Sequence, residues 1–323
     1  MKVAVVVPVS PFEDWNTIEK SIKHIKSLDY TGIDVKFVYV IDKNSKNDNR
    51  GVLAKKLGVC VVEREGRRGK RGGAINEAIK KLEKFSPDYI AIFDVDTRPE
   101  RNFILECIKA LEKCKECYIA SSKRYIANGI NFVSETVEVE YYLLNFLLSK
   151  SSFKQFNGLI GVLRADVLMK ERLSEEVITE DADFATRMHA AGMRALLVTS
   201  TKLYEDAPMS WKELFEQRKR WYYGGLQLWR YRFRMKKLKF KVRLSWYLAL
   251  SLTYIIFLFS PLLILAPPPI LLHYKKISKL KVVFGLFIHS FILQIAAASA
   301  FVDFISGKKV KWGKIRRVSE VVS

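Results

Sequence analysis

The sequence predicts an α/β fold: a doubly wound, mostly parallel sheet followed by a C-terminal α-helical membrane segment. Three observations carry that prediction. Over the first hundred residues, short β-branched runs alternate with helical patterns, as βαβ units require. Two of those runs end in acid, at Asp42 and at Asp94 and Asp96, and open α/β sheets bind ligands beyond the carboxyl ends of their strands. Near the C-terminus, Leu244 to Tyr274 contains no Lys, Arg, Asp or Glu, and Val282 to Ile305 is nearly as apolar. Each is longer than the ~20 residues a helix needs to cross a hydrocarbon core.

The elements follow in order. KVAVVVPV (2–9) reads as the first strand and is closed by Pro8 and Pro11. A helical pattern runs from about Asp14 to Leu28. DVKFVYVI is the second strand and ends at Asp42; a polar stretch, a short helix and a third strand, GVCVVE, come next. GRRGKRGG then opens into the helix AINEAIKKLEKF. This is not a P-loop, because no Ser or Thr follows its lysine at the required place. Its backbone N–H groups could meet an anion at a helix start; a solvated turn explains it as well. YIAIFDVD is the fourth strand. Strand alternation would put Asp94 and Asp96 on one side, where two carboxylates repel unless a cation lies between them.

Two more clusters lie beyond Lys150. VITEDADFATRMHAAG gathers Glu180, Asp181 and Asp183 at a helix start, where acids ordinarily answer the helix dipole. WKELFEQRKRWYYGG combines Gln217, Arg218, Arg220 and Trp221. An amide, two guanidinium groups and an indole suit a diphosphate and a sugar face. ETVEVEYYLLNFLLSK (135–150) reads as an amphipathic helix, fitted to a membrane surface or to core packing.

The net charge is +21, but it is unevenly placed. Trp211 to Arg243 alone holds 12 basic and 2 acidic residues. A nucleic-acid binder needs such charge on its folded domain, and residues 1–210 are only slightly basic, so nucleic acid is excluded as a partner. Basic residues flanking apolar stretches point to membrane lipids. MKVAVVVPVS has no signal-peptide layout. The expectation is an integral membrane protein with its large domain cytoplasmic: residues 1–230 catalytic, 231–243 a basic juxtamembrane segment, 244–305 two transmembrane helices, 306–323 a basic tail. The four cysteines are expected as thiols, not a disulfide framework, and Cys114-x-x-Cys117 lacks the second pair of a zinc site. In the second apolar stretch His289 and Gln294 are expected to bond neighbouring helices, and Asp303 to lie at the membrane interface.

In order along the chain, Asp42, Asp94-Val-Asp96, Thr179-Glu180-Asp181 and Gln217-Arg-Lys-Arg220-Trp221 resemble the D, DxD, TED and QxxRW series of the family 2 glycosyltransferases that includes cellulose synthase, hyaluronan synthase and ceramide glucosyltransferase. The resemblance covers about residues 1–230. It implies a GT-A fold and an inverting transfer from a nucleotide-sugar, a UDP-sugar for preference. Asp42 would contact the nucleoside, and Asp94 and Asp96 would hold Mg²⁺ or Mn²⁺ on the diphosphate. Asp181 would be the general base. Arg218 and Arg220 would neutralise the departing diphosphate. Glu180, Gln217, Trp221, Asn157 and Gly158 would serve the acceptor. The run Asp42-Lys-Asn-Ser departs from the family's usual acidic sequence after its first aspartate. Two spans can hardly enclose a polymer channel, so a lipid-linked or glycan hydroxyl is the expected acceptor, and several protomers could still form a homo-oligomer. The alternatives are a sugar-phosphate nucleotidyltransferase, which does not account for the TED and QxxRW clusters or the membrane stretches, and a non-catalytic membrane-bound nucleotide-binding scaffold, which would tolerate loss of the Asp181 that this chain keeps.

Overall fold

A computed structural model describes residues 1–66 and 68–308; most of the basic tail, residues 309–323, lies outside the described residues. The strands are β1 Lys2–Val9, β2 Asp34–Asp42, β3 Cys60–Arg64, β4 Tyr89–Ile92, β5 Arg98–Pro99, β6 Cys117–Ile126, β7 Gly161–Arg164 and β8 Arg194–Glu205. Between them come α1 Trp15–Lys26, α2 Arg50–Lys56, α3 Lys70–Leu82, α4 Phe103–Glu112, α5 Phe132–Lys150, α6 Ala165–Glu171 and α7 Glu180–Ala190. After β8 the chain is helical: α8 Trp211–Leu228, α9 Arg232–Met235, α10 Phe240–Ser251, α11 Pro267–Tyr274 and α12 Lys281–Ile305. Two compact units result. One holds Met1–Arg124 and Phe153–Glu205; the other holds Tyr125–Ser152 and Asp206–Ser323.

The first unit contains the sheet, in the order β3-β2-β1-β4-β7-β6-β8-β5. Strands β3, β2, β1 and β4 pair in parallel, but β4–β7, β7–β6 and β5–β8 are antiparallel. The sheet is therefore mixed, not mostly parallel as the sequence suggested. Only the first four strands are linked by crossover helices whose patterning is visible in sequence; β7 reaches β4 from 161 residues into the chain. Val3 to Val7 of β1 are fully buried, as a central strand covered on both faces must be. Helix α1 starts where Asp14 accepts a hydrogen bond from Thr17 N at 2.7 Å, a cap worth about 1 kcal/mol.

The loop after β2 is held by a residue that looked like part of a polar stretch. Arg50 is buried, pairs with Asp48 at 2.6 Å, and donates to the carbonyls of Ser10, Glu13 and Asp42. Its hydrogen bonds hold the Asp48 carboxyl down at about 2. Cys114 and Cys117 correct the thiol expectation: they are joined in a disulfide, their Cα atoms 5.4 Å apart. The turn between α4 and β6 brings the two sulfurs together, a closeness that spacing alone does not reveal. Cys60 is exposed and Cys107 buried, both as free thiols.

His189, on α7, packs against Tyr118 and Phe153 and bonds Lys154 O at 3.1 Å. Burial lowers its pKa to about 4, so it is neutral in the folded protein near pH 7. The unfolded chain takes up this proton near pH 6.5 and the native state does not until about pH 4. Stability is thus expected to fall by about 3 kcal/mol as pH drops through that window, then level off. Urea unfolding at pH 7 and pH 4.5 checks this: His189→Phe should show a smaller drop than the parent.

In the second unit, Asn131 and Ser134 cap α5 reciprocally. The N-terminal half of α5 is buried around Val137 and Tyr141, with Leu214 of α8. Its later residues Leu143, Phe146 and Leu147 are exposed. The first apolar stretch is not one straight helix: Phe240–Tyr254 and Ile256–Leu265 meet at 88°. Pro261 lies within the second piece, and proline removes a helix hydrogen bond. Ile277–Ile305 is 29 residues long, apolar enough to cross a membrane. His289 and Gln294 bond Glu140 and Tyr254 O, in line with the helix-to-helix role expected of them, whereas Asp303 pairs with Lys219 of α8 and does more than lie at a membrane interface.

Candidate active site

Strand β4 ends at Ile92, and Asp94 and Asp96 lie just past it in a turn. Thr97 closes the turn: its N bonds Asp94 O at 3.0 Å and its Oγ1 accepts from Asp94 N at 3.1 Å. Strand alternation therefore does not orient the pair; the turn does. Val95 is buried between them, while both aspartates stay partly exposed.

The sequence reading missed Arg71. Its Nε lies 2.8 Å from Asp94 Oδ1, its Nη1 lies 3.0 Å from Glu180 Oε1, and its Nη2 donates to Gly158 O at 2.5 Å. One guanidinium thus joins the turn after β4, the start of α7 and the loop before β7. Burial opposes its charge, and Asp94, Glu180 and Asp181 more than offset that, so Arg71 remains a cation. A faint signal was available. Arg71 is the second residue of α3, at the positive end of the helix dipole, where a cation is disfavoured unless something else holds it.

The three acids of α7 separate by environment. Asp183 is fully buried and pairs with Arg187 at 3.0 Å. Glu180 is buried against Arg71, and that burial pushes its carboxyl up. Asp181 alone of the three is partly exposed. Its Oδ2 accepts from Gly158 N at 2.5 Å and its Oδ1 from Ala182 N at 2.8 Å. Those two bonds fix its orientation and leave lone pairs for a proton to be received.

Gly158 is central to this arrangement. Its φ is +65°, and a Cβ there would come within 3.1 Å of Asp94 Oδ2 and 3.2 Å of Arg71 Nη2. Only glycine gives the left-handed backbone without strain while its N–H reaches Asp181 and its carbonyl reaches Arg71. Asn157 O accepts from Arg124, which also pairs with Glu205 at 2.9 Å. Asp42 sits at the end of β2, buried, with Arg64 Nε 3.0 Å from its Oδ1. The first unit therefore brings Asp94, Asp181, Glu180 and Gly158 together around Arg71.

Asp94 and Asp96 offer hard oxygen donors. Mg²⁺ and Mn²⁺ prefer oxygen, and Mg²⁺ commonly takes one or two carboxylates and completes its shell with substrate phosphates and water. The pair fits that donor set. Among the described residues, the cluster of three close ligand atoms is Cys114, Glu116 and Cys117, and its two sulfurs are joined to each other.

Gln217, Arg218, Arg220 and Trp221 lie on α8 in the second unit. Arg218 is buried, 2.7 Å from Glu140 Oε2, with its guanidinium carbon 4.3 Å from the Trp221 ring centroid. Burial alone would raise the Glu140 carboxyl; Arg218 and His289 outweigh it and hold it low. Glu140 is another residue the sequence did not single out, lying 78 positions from its arginine. Removing one partner of a buried pair strands the other, at about 3–5 kcal/mol. Glu140→Ala should cost that much, and Glu140→Ala with Arg218→Met should regain most of it, as thermal unfolding of both variants would show.

A sheet with an acidic turn beyond β4 and a second acid at a helix start defines the class, a GT-A fold. The mannosyltransferase PcManGT from Pyrobaculum calidifontis, solved with GDP-Man and Mn²⁺, matches it with a TM-score of 0.66 at 16% identity, over 95% of this chain and 88% of that one. The chain belongs to glycosyl transferase family 2: the model of "Glycosyl transferase family group 2" matches residues 89–301 and that of "Glycosyl transferase family 2" residues 5–166. Glucomannan 4-beta-mannosyltransferase 9 of Arabidopsis thaliana is 26% identical over 52% of this chain and 33% of its own length. Glucomannan 4-beta-mannosyltransferase 7 of the same plant is 24% identical over 70% of this chain and 43% of its own. The chain spans well under half the length of these curated relatives.

Proposed function

We propose that the protein transfers a hexose, with inversion, from a nucleoside diphosphate sugar to a hydroxyl of a lipid-linked or glycan acceptor at a membrane. The observation that carries this is the sorting of the α7 acids. Asp181 is held by Gly158 N–H and partly exposed, while Glu180 and Asp183 are committed to arginines; in this reading Asp181 takes the acceptor proton. Arg71 fixes Asp94 at the turn where the diphosphate would lie. Asp42 holds the nucleoside end. A divalent cation on Asp94 and Asp96, Asp96 most directly, supplies positive charge against the diphosphate when bound. Arg218 and Arg220 add fixed positive charge for the departing group, and Gln217 and Trp221, with Asn157 and Gly158, serve the acceptor. The basic segment 231–243 and the apolar residues 244–305 carry the membrane association, with the catalytic part (1–230) on the cytoplasmic side.

Nucleotide release by the detergent-solubilised protein tests this. GDP-Man and UDP-sugars are offered singly with Mn²⁺, Mg²⁺ or EDTA. The GDP-Man complex of PcManGT, beside relatives named as mannosyltransferases, makes GDP-Man a donor to offer with the UDP-sugars the sequence favoured. Release from one donor that EDTA abolishes is the expected result. Failure to bind any nucleotide-sugar, with metal and lipid extract present, would sink the proposal.

A further inference from the structure

Helix α12 is long enough to span a bilayer, yet its partners argue for another placement. Near its start, Lys279 and Lys281 pair with Glu135 of α5 at 3.1 and 3.0 Å. At its middle, His289 lies 3.1 Å from Glu140 of α5. At its end, Asp303 pairs with Lys219 of α8 at 2.6 Å, and Phe304 packs on Tyr223. Close packing fills the intervals: a Cβ on Gly285 would strike Thr136 Oγ1 and Phe132, and Ile292 packs against the cluster that holds Val137 and Tyr141 of α5 and Leu214 of α8. So α12 follows α5 and then α8 along its whole length.

Those two companions cannot enter hydrocarbon with it. Between Lys212 and Arg220, α8 carries six charged residues, and α5 adds Glu135, Glu138 and Glu140. Each charge at membrane depth is costly. A crossing α12 would have to leave its ion pairs or carry these charges along.

The helix is sided. At about 100° per residue, Lys281, Gly285, His289, Ala300 and Asp303 share an arc of about 100°. Phe284, Phe287, Phe291 and Ile295 fall on a separate face and are exposed. The bent segment beside it exposes Leu258, Ile264 and Leu265, and Gln294 ties α12 to that segment through Tyr254 O. Between Glu216 and Asp303 the sequence has no acidic residue. Arg232, Arg234, Lys236 and Lys237 are exposed there, with Phe233 among them.

We propose that α12 lies in the plane of one leaflet of an anionic membrane, its phenylalanine face in the acyl boundary, and does not cross it. This rests on the membrane association proposed above and specifies its mode. Apolar side chains sink just below the headgroups, basic ones meet the lipid phosphates, and the ion-paired face of α12 stays with α5 and α8. A second copy of this chain fits less well, because the same cationic surface would face itself.

The full-length protein is mixed with vesicles of phosphatidylcholine alone or with equal phosphatidylglycerol, and flotation is measured. Binding should rise more than about tenfold with the anionic lipid. Failure to float on either vesicle, with self-association in solution, would overturn the membrane reading itself. Topology is read separately. Lys281→Cys and Ser306→Cys variants, in sealed inside-out membrane vesicles from the expressing cells, are treated with an impermeant maleimide and analysed by peptide mass, with Cys60 as the marker of the catalytic side. Both ends should label like Cys60. Labelling of one end only, with the other exposed after detergent, would show a spanning α12 and overturn this proposal while leaving membrane association intact.

Discussion

Asp181→Asn should lower kcat by about 10²–10⁴-fold, the usual contribution of a positioned base, and leave donor binding within a few-fold. The amide keeps the size of the side chain but cannot accept the acceptor's proton. One of its two bonds, from Gly158 N or Ala182 N, survives on the amide oxygen, so folding should change little. Asp181→Ala separates the two effects, because it removes both bonds. The decisive measurement is single-turnover transfer beside equilibrium donor binding. Unchanged kcat in Asp181→Asn would show that another group takes the proton.

Arg71→Met is expected to be more damaging overall, since it acts on stability and turnover together. It would leave Asp94, buried Glu180 and the Gly158 carbonyl without their shared donor. Stranding a buried charge costs about 3–5 kcal/mol, a large part of an ordinary stability of roughly 5–15 kcal/mol. Turnover should fall by roughly 10² or more, because displacements of about 1 Å at reacting groups cost that much. Arg71→Lys keeps the charge but not the three-way fork, so it should recover part of the stability and less of the rate. Glu180→Gln in the Arg71→Met background should restore stability, since the orphaned carboxylate becomes neutral. Additive losses in that pair would mean that Arg71 and Glu180 are not coupled.

The legible part of the site lay in residues whose placement follows from local pattern. A β-branched run that stops at Asp42, another that stops before Asp94, and an acid-rich helix start at Glu180 each reveal themselves in a short window. The unreadable part consisted of partners far apart in sequence. Arg71 meets acids 23 and 109 positions away; in sequence it is one more cation in a basic, glycine-rich loop. Spacing also could not separate the acids of α7, because exposure is decided by which arginine each one meets.

The sequence by itself determined the order of the first strands and helices, the acidic strand ends, the acidic start of α7 and the two apolar stretches. Those features depend on side-chain periodicity and on composition within a few residues. Only the tertiary structure decided that β7, β6 and β8 make the sheet mixed, that Thr97 turns the Asp94 region, that Gly158 links Asp181 to Arg71, and that α12 is ion-paired along α5 and α8. These depend on which distant segments meet. Burial makes the partner, not the local pattern, set the energy of a charged or polar group.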